Sequence, residues 1–240
     1  MLKIKKITAV SEHQTLLNDI NLEIKPGEIH AVMGPKHSGK SALAHVITGH
    51  PSVQITDGTI TLGKKKIQTL DADAIAKLGV FVSFQFPPEF DSMSNWDITK
   101  ETLGAHESMI SDLALKYSTC CELLDLSSGH GDRSANAISM TISQAKRNEL
   151  IHMILSDAKL VILDEIDEGL SELDTILVAA ILKDFLQKKD KGCIVITHNQ
   201  TLLKILEPTH VHVMVGGEIK LSGDTELYTR IIEDGYSEFS

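Results

Sequence analysis

The chain lacks any stretch approaching the roughly 18 to 20 uninterrupted apolar residues needed to cross a bilayer as a helix. Direct membrane insertion is therefore not expected. Its first residues, Met1-Leu2-Lys3-Ile4-Lys5-Lys6, lack the apolar core of a secretory signal, so a cytoplasmic location is expected. Cysteine is scarce. Cys120, Cys121 and Cys193 are too few for a disulfide framework, and the vicinal pair lacks C-x-x-C metal spacing, which leaves free thiols. The eleven histidines form no H-x₃-H or H-E-x-x-H pattern, and His210 and His212, on one face of a strand-like run, read as rim residues rather than ligands. Excess positive charge is also missing. A formal net charge of −10 argues against a broad nucleic-acid surface. Repeats, low-complexity tracts and linkers are absent, and 240 residues with 42% apolar content suit one large α/β domain or two small ones.

What is present is a phosphate-loop pattern. Gly34-Pro35-Lys36-His37-Ser38-Gly39-Lys40-Ser41 fits G-x-x-x-x-G-K-[ST] and follows an apolar strand-like run, Glu28 to Met33. In such a loop, backbone N–H groups face a polyphosphate, the lysine reaches the β and γ phosphates, and the hydroxyl serves Mg²⁺. A helix is expected to begin near Gly39, running through Ala42 to Thr48, with the positive end of its dipole on the same anion. ATP and Mg²⁺ are the expected ligands.

Leu2 to Thr8 and Asp19 to Lys25 alternate apolar and polar residues, as half-buried strands of an antiparallel layer do. Pro26-Gly27 turns into the phosphate-loop strand, and Gly58 to Leu62 and Gly79 to Phe84 read as further strands. From Asp91 to about Ser156 the texture is helical without strong strand candidates. Lys159 to Leu163, Gly192 to Thr197 and His210 to Val215 then read as buried parallel strands joined by right-handed crossovers. The expected division is a nucleotide-binding core of 1–90 and 156–240 with a helical subdomain at 91–155.

Leu160-Val161-Ile162-Leu163 delivers Asp164 and Glu165 to the carboxyl end of a buried strand, where ligands sit in open α/β sheets. Beside a phosphate loop, such an aspartate can hold Mg²⁺ and such a glutamate can orient or deprotonate the attacking water. His198 closes Val195-Ile196-Thr197 on the same edge, able to donate to a γ-phosphate. Gln85 closes Val80 to Phe84, with an amide carbonyl that could reach Mg²⁺ or water.

In this order the pieces resemble the ATP-binding-cassette (ABC) ATPases over essentially the whole chain. Within them the chain looks most like the SufC-type ATPase of the SUF iron-sulfur cluster assembly machinery. That closer likeness is carried by Phe84-Gln85-Phe86-Pro87-Pro88-Glu89, Lys146-Arg147-Asn148-Glu149, Leu163-Asp164-Glu165-Ile166-Asp167-Glu168-Gly169-Leu170, Val211-His212-Val213 and Glu233-Asp234-Gly235-Tyr236. The fold implied is an α/β phosphate-loop cassette with a mixed sheet core, an N-terminal antiparallel β layer and an inserted helical subdomain. Function implied by the resemblance is an ATPase that pairs as an ATP-dependent homodimer or heterodimer, sandwiching two ATP molecules, and drives a SufB/SufD-type scaffold partner. Carried over by position, residues Gly34, Pro35, Lys36, His37, Ser38, Gly39, Lys40, Ser41 and Ala42 hold the nucleotide, with Ser41, Gln85 and Asp164 on Mg²⁺. Glu165 is the general base and His198 the γ-phosphate sensor, while Thr141, Ser143 and Gln144 act in trans on the partner's nucleotide. No aromatic lies between Ala9 and Leu17 to stack on adenine, leaving His13 as a weak candidate.

The family pattern breaks in three places. Met140-Thr141-Ile142-Ser143-Gln144 stands where the family has Leu-Ser-Gly-Gly followed by Glu or Gln, so both glycines are missing and Ile142 adds β-branched bulk. If position 142 requires φ > 0, the strain costs about 1 to 2 kcal/mol. Thr141-x-x-Gln144 nevertheless reads as a capping box. His37 replaces the middle loop glycine, and Ser171 replaces an aspartate that couples the two sites. An active but slow SUF-type ATPase is therefore the main expectation. The alternatives are a nucleotide-binding regulatory subunit with little hydrolysis and the ATPase subunit of an ABC transporter.

Overall fold

The computed structural model describes residues 1–12, 14–83, 85, 90–136 and 140–236. His13, Phe84 and Phe86-Pro87-Pro88-Glu89, which bear on adenine stacking and on the closer resemblance, lie outside the described residues.

Five short aliphatic runs form a parallel sheet: β3 (Ile29–Met33), β6 (Val80–Ser83), β9 (Leu160–Asp164), β10 (Gly192–Ile196) and β11 (His210–Val215). An antiparallel edge strand, β12 (Glu218–Gly223), completes the order β12-β11-β3-β10-β9-β6. β9 and β10 are buried at every position, as expected of strands covered on both faces. Period-two alternation then sorts the side chains into two cores. Ala31, Met33, Val161, Leu163, Cys193, Val195, Val211 and Val213 pack with the helices. Val32, Leu160, Ile162, Ile194, Ile196 and Met214 pack on the opposite face.

That second face is covered by α1 (Lys40–Thr48) and by an antiparallel layer in the order β2-β1-β4-β5. Its strands are β1 (Leu2–Ser11), β2 (Gln14–Ile24), β4 (Gln54–Leu62) and β5 (Lys65–Lys66). Leu2, Ile4, Ile7, Leu17, Ile20, Leu22 and Ile24 point inward, so the alternation in the sequence is the inward face of this layer.

The first face carries α6 (Glu172–Leu186), α7 (Gln200–Leu206) and α8 (Thr225–Asp234), with short α2 (Ala72–Ala76) preceding β6. Ser171 is the N-cap of α6, accepting from the Asp174 N–H at 3.1 Å and donating to the Asp174 carboxylate at 2.9 Å. Serine and aspartate are comparable N-caps, so the departure at 171 keeps the helix start that an aspartate would give.

The stretch expected to be helical holds α3 (Asn95–Thr102), α4 (Ile110–Leu123) and α5 (Ile142–Leu155). It also contains a short antiparallel pair, β7 (Phe90–Ser94) with the two-residue β8 (Ser134–Ala135), which the sequence did not announce because two residues carry no alternation. Buried Tyr117, Cys120, Cys121, Leu150, Ile151 and Met153 belong to the same apolar cluster as Val161 and Leu163, so these helices share the sheet's core.

The three cysteines are free and buried. His212 corrects the rim assignment. It is buried, with its Nε2 2.9 Å from His30 Nδ1, and burial pushes its ring well below the usual histidine range, to about 3. Its ring is enclosed between His30 and Ser222 of the neighbouring edge strand β12.

Because Ile162 is fully buried beneath the antiparallel layer, Ile162→Ala should cost about 2–5 kcal/mol. A urea titration should show a lower midpoint at unchanged slope.

Candidate functional site

The sheet's carboxyl edge gathers the predicted residues. The loop after β3 carries Gly34 to Gly39, and α1 begins at Lys40. Gly39, at φ 100°, is the N-cap; a Cβ there would lie 2.8 Å from the Leu16 carbonyl oxygen. A Cβ on Gly34 would come within 2.0 Å of the Met214 carbonyl oxygen, so the loop is pressed against the end of β11 and only glycine fits. The first turn of α1 has neither a side-chain cap nor an acidic residue. Its N–H groups and dipole are left for an anion.

Lys40 is buried, donating to the carbonyls of Gly34 at 2.9 Å and Pro35 at 2.8 Å and lying 3.4 Å from Ser38 Oγ. Burial lowers its pKa, opposed by the nearby charges of Glu165 and Asp164. Lys36 and His37 are exposed on the loop, and His37 adopts φ 62°, a left-handed conformation that favours glycine. The departure at position 37 thus stores strain within the loop itself.

Asp164 ends β9 and is buried. Burial raises its pKa, against a hydrogen bond with Ser41 and the charge of Lys40. Its Oδ1 is buried with no hydrogen-bond partner among the described residues. A buried, partnerless carboxylate oxygen beside a hydroxyl is a hard oxygen donor set of the kind Mg²⁺ takes, so these residues fit the ion. Glu165 follows at φ 51°, its N–H bonded to the Ile196 carbonyl. Burial and then the charges of Glu168 and Asp164 raise its pKa, which strengthens it as a base.

Gln85 lies on the same edge, its Nε2 donating to Glu165 Oε2 at 2.9 Å and to Glu168 Oε2 at 2.5 Å. Its own carbonyl accepts from Lys146 Nζ at 2.8 Å. Lys146 is completely buried on α5, and its neighbours are equally engaged. Arg147 donates to the Leu124 and Asp125 carbonyls, Asn148 bonds Asn95 and His130, and Glu149 accepts from Ser83 Oγ at 2.6 Å. The Lys-Arg-Asn-Glu run is therefore the seam that joins α5 to β6 and Gln85.

His198 follows β10, with burial and then the charge of Lys40 lowering its pKa. Tyr236 lies 3.2 Å from His198 Nδ1 through its hydroxyl, which also accepts a hydrogen bond from the Gly34 backbone. When the tyrosine hydroxyl donates to Nδ1, the imidazole proton sits on Nε2, free to face a ligand. Tyr236 had no assigned role in the sequence, because nothing there says where the chain's end returns. The adjacency of four acids, Asp164, Glu165, Asp167 and Glu168, was the available signal for Glu168.

Thr141, Ser143 and Gln144 open α5 away from these residues. The capping box is present: Gln144 N–H to Thr141 Oγ1 at 3.2 Å and Thr141 N–H to Gln144 Oε1 at 3.0 Å. Ile142 is the first residue of the helix and not among the positive-φ residues, so the left-handed strain considered for that position does not arise. It is 58% exposed and packs on Gly169, where a Cβ would lie 3.1 Å from Ile142 Cγ2.

The sequence profile described as ABC transporter matches residues 17–168. The chain belongs to the ABC transporter family. A relative in Synechocystis sp., named a probable ATP-dependent transporter, is 37% identical over 98% of this chain and 94% of its own length. A probable ABC transporter ATP-binding protein of Streptococcus pyogenes is 34% identical over 99% of this chain and 94% of its own. Among solved structures, a dimeric ATP-binding cassette bound to ADP and Pi aligns with a TM-score of 0.79 at 19% identity, covering 93% of this chain and 98% of that one, which shows the shared fold. The protein is an ABC-family ATPase, with the α/β cassette fold and antiparallel β layer expected. No helix among the described residues is long and apolar enough to cross a membrane.

Because burial disfavours the charged form of Asp164, Asp164→Asn should stabilise the protein while abolishing Mg²⁺-dependent hydrolysis. A gain of about 1 kcal/mol, or ~2–4 °C in Tm, is expected by calorimetry above the ordinary carboxylate pKa, shrinking as pH falls and the wild-type carboxyl takes up its proton.

Proposed function

We propose that this ABC ATPase binds ATP on the Gly34 to Ala42 loop and hydrolyses it to drive a separate partner protein. The observation carrying this reading is Gln85, which joins Glu165 and Glu168 to Lys146 on α5. A machine that does work on a partner needs such a joint between its chemistry and a movable element. A cleft of about 1080 Å³, lined by Phe81 of β6, Ile98 of α3, Leu113 of α4 and His152 of α5, offers room for a partner segment.

In this reading Lys40 and the loop N–H groups hold the phosphates, Ser41, Gln85 and Asp164 hold Mg²⁺, and His198 donates from Nε2 to the terminal phosphate. Bound Mg²⁺ would neutralise charge on the phosphates. Glu165, with its raised pKa, accepts the proton of the attacking water once Gln85 releases its carboxylate. Thr141, Ser143 and Gln144 face a second cassette in an ATP-dependent pair, where the N-terminus of α5 supplies N–H groups in place of the missing glycines.

The names of the two relatives favour a transporter subunit as the partner over the SUF scaffold that the motifs suggested first. The SufB/SufD-type scaffold stands as the second reading, carried by the sequence resemblance of the Lys146-Arg147-Asn148-Glu149 segment. Affinity purification of the chain with its native partners separates the two, through a membrane-embedded subunit or a soluble scaffold. Glu165→Gln should lower ATP turnover ~10²–10⁴-fold with nucleotide affinity retained. Wild-type kcat should fall with decreasing pH along a limb lying above the ordinary glutamate value of 4.5, because the base must be ionised. Wild-type turnover equal to that of Glu165→Gln, with partner present, would refute hydrolysis and leave only a nucleotide-binding role.

A further inference from the structure

The start of β3 and β11 holds a group of residues that the ATP chemistry does not use. Glu28, His30 and His210 each place one donor atom within 4.8 Å of the other two. His30 and His210 are paired across β3 and β11, their rings stacked with centroids 4.4 Å apart. His30 lies four residues before Gly34 on an extended strand, about 13 Å from the phosphate loop, toward the opposite end of the sheet.

We infer that Glu28, His30 and His210 bind one divalent transition-metal ion of the zinc class. Two imidazoles and a carboxylate form a donor set suited to zinc, cobalt or nickel rather than to Mg²⁺, with a fourth position for water. One donor pair already has the spacing such an ion needs. His30 Nε2 and Glu28 Oε2 are 3.1 Å apart, near the ~3.3 Å that separates ligand atoms held ~2.0–2.1 Å from a tetrahedral centre. Rotation of the partly buried His210 side chain brings in the third donor.

Outer contacts set each ligand's lone pair. Thr209 Oγ1 donates to the Ile29 carbonyl and accepts from the Ile29 N–H, so toward His210 Nδ1 at 3.0 Å it acts as acceptor. That leaves Nε2 of His210 basic. His30 Nδ1 is 2.9 Å from His212 Nε2, and His212 Nδ1 is 2.7 Å from Ser222 Oγ. Ser222 can donate or accept, so this chain of rings works in either direction. With Nε2 of His30 on an ion, Nδ1–H donates to His212, whose own Nδ1–H donates to Ser222. Glu28 Oε2 is held by the Lys25 N–H at 2.7 Å. Every proposed ligand thus has the second partner that metal-binding side chains require.

Because the ligands join the β2–β3 turn to β3 and β11, the ion should stabilise the folded chain. The test is titration of the metal-free, nucleotide-free full-length chain with Co²⁺ and Zn²⁺. Expected are saturable binding of one equivalent, the visible absorption of four-coordinate Co²⁺, its loss on adding Zn²⁺, and a higher Tm with Zn²⁺. Glu28→Gln and His210→Ala, both at partly exposed positions, should each weaken binding more than tenfold with an unchanged circular dichroism spectrum. A double variant, Asp164→Asn with Glu165→Gln, should bind as the wild type does. Absence of saturable binding, binding unaltered in Glu28→Gln and His210→Ala, or binding lost in the double variant would each overturn the assignment.

Discussion

Two opposite charges withdrawn from water at the edge of an apolar sheet govern this structure. Lys40 and Asp164 are both buried, and burial pushes each toward its neutral form while the other's charge opposes that push. Each draws part of its support from the other and the rest from nearby polar groups. The loop carbonyls of Gly34 and Pro35 hold the lysine, and Ser41 holds one side of the aspartate, while Asp164 Oδ1 is left over. The close approach of Gly34 to β11, the uncapped start of α1 and the two-sided burial of β9 all serve to keep this pair in place. Stability is surrendered at the point where chemistry needs unsatisfied polar groups.

Much of this was legible in the chain. Aliphatic runs such as Leu160–Leu163 and Ile194–Ile196 announce buried strands, and the phosphate loop, the strand-end acids and the Thr141–Gln144 capping box appear where the sequence placed them. The rest was hidden for physical reasons. His212 looks like a rim residue because alternation reveals a face but not what lies on it, and its ring is enclosed by His30 and by Ser222 of the neighbouring strand β12. Tyr236 reaches Gly34 and His198 only through the packing of α8, which no local pattern encodes. Ile142 was a suspected strain because its family counterpart is glycine, yet the helix simply begins there. His37 is the reverse case: the residue tolerated by the looser motif is the one with a left-handed backbone.

The Lys-Arg-Asn-Glu segment that suggested a particular subfamily proves to be structural before it is diagnostic. Lys146, Arg147, Asn148 and Glu149 spend their polar groups on Gln85, on carbonyls after α4, on Asn95 and His130, and on Ser83. Their chemistry fixes how α5 meets β6. It says nothing by itself about the partner, which is why the names of relatives and the motifs can point to different machines without conflict over the cassette itself.

Helix α5 is a single uninterrupted rod from Ile142 to Leu155. One end bears the capping box and rests on Gly169; less than two turns along, Lys146 is bolted to Gln85, which grips Glu165. A helix does not bend over so short a span without a proline or glycine. The exposed Ile142 and the carboxylate proposed as the base are therefore two ends of one rigid linkage, with the buried lysine between them.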